Sequence, residues 1–281
     1  MKYAFVCDSG TGRNIAELKK LGIYSVPLQI SDDRNNYLEL EDKSIEMIYE
    51  EIASGKMLKT SLPPLGLIEE TFNQIKEDGY DTIFAVPICN GLSSTTNAMR
   101  VAAANCNLEF ISVDTYVTAE VEFHCIVLAK EMIEAGKSMD EVMAALNKLI
   151  KSASTLLIPV DLNHLKRGGR LTPIAAALGG LLKIKPILKI DQSTMGKIDV
   201  LSKVRTLHKA MDSVVETMLE AGVDSTYNIF IAYVLNKDEC ELMADKIKAK
   251  ITNANVKVIE LVSCVGCHTG IGCIAVQYYQ G

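Results

Sequence analysis

The densest group of chemically capable side chains lies near the end of the chain, in CVGCHTGIG (264–272). Cys264, Cys267 and His268 spell C-x-x-C-H, the pattern through which c-type haem is attached. The same residues could be half of a zinc site, or a glycine-rich turn that carries a histidine to the rim of a pocket. Haem attachment is usually completed outside the cytosol, and the chain's start, MKYAFVCDSG, reaches Asp8 after too short an apolar run for a secretory leader. Zinc needs a second ligand pair. His124, His164 and His208 have no suitable spacing to a cysteine or to one another, and the adjacent pair His124-Cys125 does not fit either. No metal and no haem are therefore expected.

Hydroxyl groups gather at two further places. In ICNGLSSTTNAM (88–99), Gly91 allows a tight turn, and Ser93, Ser94, Thr95 and Thr96 stand where a helix is expected to begin. Backbone N–H groups and hydroxyls at a helix start attract phosphate or carboxylate, although an N-cap with spare serines has the same appearance. Thr60-Ser61 in LKTSLPP is followed by two prolines and on its own reads as a turn. The loop FVCDSGTGRNIAEL contains G-x-G-x-x but has Ile15 where a dinucleotide fingerprint wants a third small residue. Asp32 follows about 20 residues later, which leaves a nucleotide at Gly10–Gly12 as the competing reading. No G-x-S-x-G, H-E-x-x-H, Walker A or kinase motif set occurs. Anion-binding loops without a nucleophile or metal suggest a carrier before a catalyst.

These loops must be held by a sizeable scaffold. The chain has 281 residues, 48% of them hydrophobic, with a mean hydropathy of +0.16, enough for two α/β domains. Lys and Arg number 29 against 35 Asp and Glu, and the resulting charge of −6 argues against a nucleic-acid or anionic-membrane surface. No apolar run approaches the ~20 residues of a membrane span, and a cytoplasmic location is expected. Eight cysteines scattered through apolar segments read as buried small hydrophobes.

Up to residue 152 strands and helices alternate. KYAFVCDS, IYSVPLQI, DTIFAVPI and EFISVDT read as strands, and the segments between them carry helical periodicity. SMDEVMAALNKLIKSA is capped by Ser138 with Glu141 three positions on. This alternation predicts a parallel sheet with helices on both faces. From 153 to 281 the pattern is a mixed α+β one: a strand STLLIPV, a basic turn-rich LNHLKRGGRLT, a small-residue helix PIAAALGGLLKI, two strands around Gly196, then two further helix–strand pairs. Two domains, 1–152 and 153–281, are expected to pack closely.

Several of these segments, in this order, resemble the DegV family of bacterial fatty-acid-binding proteins. They are Asp8-Ser9, TSLPP (60–64), NGLSSTTNAM (90–99), LKRGGRLTPIAAALGGLLKIKPIL (165–188) and the terminal CHTGIG (267–272). Asn90 and Ser94 stand where the family usually has serine and glycine, and Leu62-Pro63 replaces a Gln-Pro. The resemblance implies two α/β domains with a lipid tunnel between them. It also implies that a long-chain free fatty acid is bound without a cofactor. Its carboxylate would be presented to a separate ATP-dependent kinase subunit, which forms the acyl phosphate. Carried over by position, Thr60, Ser61, Ser93, Ser94 and His268 would bind the carboxylate, and Arg170 and Arg205 would serve the kinase or the phosphate. In this light Gly266, Gly270 and Gly272 turn the backbone close to the ligand, His268 is the polar group delivered there, and the two cysteines are packing. The alternative is an enzyme acting alone, such as a phosphotransferase with a nucleotide at Gly10–Gly12.

Overall fold

The computed structural model describes residues 1–177 and 184–281. A four-stranded parallel sheet in the order β2 (Ile23–Ser25), β1 (Tyr3–Cys7), β6 (Thr82–Ala85), β7 (Glu109–Ser112) forms the first layer. Both of its faces are buried, and the two-residue side-chain period divides the strands between two cores. Ala4, Val6, Ile83 and Ala85 face helices α3 (Leu65–Glu77) and α4 (Thr95–Asn105) through Ile68, Phe72 and Met99. Phe5, Cys7 and Phe84 face the opposite way, toward α1 (Ile15–Lys20) and α5 (Glu120–Glu134), meeting Leu18, Val121 and Cys125. Helices therefore cover both faces, as the alternation predicts.

The second sheet has six strands in the order β10 (Asp199–Val204), β9 (Lys185–Ile190), β8 (Ser154–Ile158), β13 (Ile274–Gln280), β11 (Tyr227–Tyr233), β12 (Asn255–Glu260). All its pairings are antiparallel except β11 with β12, which makes it the expected mixed sheet. Leu156, Ile229 and Val276 pack outward on α9 (Leu207–Glu220) and α10 (Lys237–Lys248). Leu157, Phe230 and Ala275 point inward and join the core that also holds α5, α6 (Met139–Ser152) and the near face of the first sheet. Ser138 and Glu141 form the expected capping box at the start of α6.

Several local expectations are corrected. IYSVPLQI is not one strand: its ends, β2 and β3 (Gln29–Ser31), belong to different sheets. Pro27, between them, has no N–H to continue a ladder. β3 lies between β4 (Asn36–Leu38) and β5 (Lys59–Ser61) in a small antiparallel sheet, so Thr60-Ser61 is strand rather than turn. The basic segment LNHLKRGGRLT contains a helix, α7 (Leu162–Arg167), started by Asp161, whose side chain accepts from Asn163 N–H. The expected helix PIAAALGGLLKI begins as α8 (Pro173–Ala177); its residues 178–183 lie outside the described residues. CVGCHTGIG is not a turn. Most of it forms the helix α11 (Ser263–Thr269), which ends at Gly270 with φ 78°. β13 follows after Cys273 and lies between β8 and β11, a central strand of the second sheet.

Candidate functional site

α11 lies on α2 (Ile45–Ala53), and the contact explains Gly266. A Cβ there would stand 2.2 Å from the Tyr49 hydroxyl oxygen, inside the ring's own volume. Tyr49 is fully buried and donates its O–H to the Leu261 carbonyl just before the helix. Cys264 and Cys267 are buried beside it and burial pushes both thiols up, so neither is available as a thiolate. Among the described residues no group of three or more His, Cys, Asp or Glu is arranged to hold a metal ion.

The same helix turns His268 outward to β5, where its Nε2 lies 2.6 Å from Thr60 Oγ1. The two residues are 208 positions apart in the chain. Gly168, after α7, packs against the other edge of the imidazole: a Cβ at that position would be 2.3 Å from Nδ1. Burial, the Arg170 charge and neighbouring His164 lower the His268 pKa to about 4, so the ring is neutral at pH 7. His164 stands behind it and donates from Nε2 to the Cys267 carbonyl at 2.8 Å.

Arg170 is held by its own loop, with Nη1 donating to Gly168 O at 2.7 Å and Nε to Leu92 O at 3.2 Å. Among the described residues its other N–H donors have no partner and could meet an anion. Ser93 precedes α4 and its hydroxyl is 2.8 Å from Thr95 Oγ1. Gly91 brings this loop against the second sheet's hairpin, because a Cβ there would be 2.2 Å from Gly196 backbone atoms.

Thr60, Ser61, Ser93, Arg170 and His268 thus surround one cleft of about 480 Å³, mouth included, whose apolar wall includes Leu92, Ile198 and Val265. Those three side chains are also part of a second, narrow cavity, deeper between the sheets. Its surface is almost entirely carbon, with Leu157, Phe230 and Ala275 among its walls. Two of the expected residues fall elsewhere. Ser94 is exposed and faces a separate groove with Leu65 and Asn97. Arg205 is exposed just ahead of α9 and does not line the cleft.

The Gly10–Gly12 loop has no room for a phosphate. Ser9, Gly10 and Thr11 are buried, and a Cβ on Gly10 would meet the Asp8 and Glu122 carboxyls at 2.7 and 2.8 Å. Asp32 is spent on an exposed turn, accepting from the N–H groups of Arg34 and Asn35. Gly168 and His164 were missed as site residues by sequence reasoning. Their only signal was their place in the basic segment, which says nothing about contact with His268.

A parallel and a mixed sheet, with a hydroxyl-bearing cleft beside a carbon-lined cavity, define a two-sheet α/β architecture. The chain belongs to the DegV family: the family's model, described as an uncharacterised protein of the DegV family, matches residues 2–281. A DegV domain-containing protein from Halalkalibacterium halodurans is 29% identical over 281 residues, covering 99% of this chain and 98% of its own. A fatty acid binding DegV family protein from Streptococcus agalactiae superposes with a TM-score of 0.89 at 25% identity, over 100% of this chain and 99% of that one. The structure reporting fatty acid binding of a DegV family protein from Thermus thermophilus gives 0.86 at 23% identity, with both chains covered fully.

Proposed function

We propose that this protein binds one long-chain fatty acid, with the carboxylate in the polar cleft and the alkyl chain in the inner cavity. The observation that carries the proposal is that the two spaces share Leu92, Ile198 and Val265 as common wall. An amphiphile with an anionic head is the chemistry that matches donors at one end and carbon at the other. Burying roughly fifteen methylenes at ~0.8 kcal/mol each contributes on the order of 12 kcal/mol gross. That is of the same order as the ~4–15 kcal/mol cost of association. Hydrogen bonds from Thr60, Ser61, Ser93 and a neutral His268 would then select the acid and orient it. The fatty-acid-binding relatives support the reading.

In the fuller form of this proposal, the protein is a cytoplasmic carrier rather than a catalyst, with a boundary between two domains at 152/153. It offers the carboxylate to a separate kinase subunit for acyl phosphate formation. Arg170, half-exposed at the rim, is suited to the transferred phosphate. Exposed Arg205 is assigned to the partner. No helix among the described residues is long and apolar enough to cross a membrane. Denaturing extraction of the purified protein followed by mass spectrometry is expected to release a fatty acid. Recovery of none, together with no binding of added palmitate or oleate, refutes the proposal.

A further inference from the structure

Glu39 lies outside every loop that the sequence marks as functional, yet it is 2% exposed and sits beneath the cleft. Its Oε1 accepts from Ser263 Oγ at 2.7 Å and from the Cys264 N–H, the first two residues of α11. That helix has no side-chain cap of its own at Val262. A carboxylate from 224 residues away therefore takes the place of the local cap. The other oxygen, Oε2, accepts from Ser9 Oγ at 2.6 Å, and Ser9 Oγ in turn accepts from Leu28 N–H at 3.0 Å. Leu28 and Cys264 both line the cleft, so one carboxyl group spans two of its walls.

α11 is a single short helix bearing His268 in its last turn. A shift of its first turn is transmitted along so short a rod to the imidazole, which must stay 2.6 Å from Thr60 Oγ1. Tyr49 limits how close α11 comes to α2, through the contact at Gly266. Glu39 fixes the position of α11 along its axis. We propose that Glu39 is the positioning residue of this site, holding α11 so that His268 meets Thr60 and the carboxylate-binding cleft is preformed. The role in ligand binding rests on the fatty-acid reading; the placement of His268 does not. Burial raises the Glu39 pKa, while the donors from Ser9, Ser263 and Cys264 oppose that rise. The group is thus costly to bury and is compensated by the contacts that define the site.

The test compares wild type with Glu39→Ala, Glu39→Gln and Ser263→Ala. Glutamine keeps one carbonyl acceptor for α11, and Ser263→Ala removes one donor while leaving Glu39 in place. Two readouts are taken on each protein: affinity for cis-parinaric acid by fluorescence, and the pH titration of His268 by NMR of labelled histidine, assigned with His268→Gln. Affinity is expected to fall at least tenfold in Glu39→Ala, with smaller losses in Glu39→Gln and Ser263→Ala. In Glu39→Ala the His268 ring is expected to titrate closer to the ordinary value of 6.5 than to its folded value of about 4. Should Glu39→Ala not fold, the graded response of the two milder variants carries the same test. Unchanged affinity and unchanged His268 titration overturn the proposal. A loss of affinity with His268 titrating as in wild type also overturns it, because the effect would not pass through the histidine. Failure of the wild type to bind cis-parinaric acid counts against the fatty-acid reading, and the His268 titration still decides the placement.

Discussion

Replacing Gly168 by alanine isolates the contribution of His268 to ligand binding. The backbone there has φ −65° and ψ −22°, which any residue adopts, so no conformational penalty accompanies the methyl group. The methyl would, however, stand 2.3 Å from His268 Nδ1 and 3.2 Å from Cγ, well inside contact distance. The ring is the partner that yields and leaves Thr60, because the 168–170 loop is pinned by the bonds of Arg170 to Gly168 O and Leu92 O. The ligand carboxylate then loses one donor, worth about 1.5–3 kcal/mol for a hydrogen bond to a charged group. Affinity should drop roughly ten- to hundredfold. Gly169→Ala is the matched control: its φ of +73° costs about 1–2 kcal/mol of stability, but no atom lies within 4 Å of the new methyl. Titration with a fluorescent fatty acid beside thermal melts separates the two. The expected outcome is that Gly168→Ala loses binding with little change in Tm, while Gly169→Ala loses stability and keeps binding. Wild-type affinity in Gly168→Ala would mean that His268 does not hold the ligand.

Other consequences follow from the same geometry. Changing Thr60 and Ser93 together to alanine should weaken fatty acid binding sharply with the fold intact. Arg170→Ala should keep the lipid and lose phosphorylation in a coupled assay with the cognate kinase subunit; the reverse pattern refutes this division. Burial raises the Asp8 pKa to about 7 and lifts Glu122 well above the carboxylate range. Both groups hold protons in the fold that the unfolded chain releases from about pH 4 upward, so their contribution declines as pH rises through 7. Glu122→Gln should therefore raise the urea midpoint more at pH 8 than at pH 5, and equal shifts at both pH values would contradict the assignment. His268 acts in the opposite sense between 6.5 and about 4, which is why the comparison is made between variant and wild type. Tag-free protein is expected to show neither a haem absorption band nor stoichiometric zinc, and either finding would reopen the reading of Cys264 and Cys267.

The sequence by itself determined the layers of this protein and the chemical types at its site. Continuous apolar runs such as Tyr3–Cys7, alternating along the chain with helices, predict a sheet covered on each side, and the strand is buried on both faces. Ser138 and Glu141 announced their helix because a capping box is a contact three residues long. The hydroxyl of Ser93 and the imidazole of His268 could be named as candidates from their own segments, and Thr60 from the resemblance to the DegV family. Tertiary structure alone decided how they meet. CVGCHTGIG looks like a turn because it is rich in glycine; it becomes a helix because Glu39 caps it, and Tyr49 fills the place of a Gly266 side chain. Thr60 reads as part of a proline-bounded turn and becomes strand because β3 pairs with it. Ser93 and Ser94 are adjacent and chemically alike, yet only Ser93 lines the cleft while Ser94 faces another groove. Local patterns record what a segment can do with its near neighbours. The contact of Thr60 with His268, 208 residues apart, is set by the packing of the sheets around them and leaves no periodic trace in the chain.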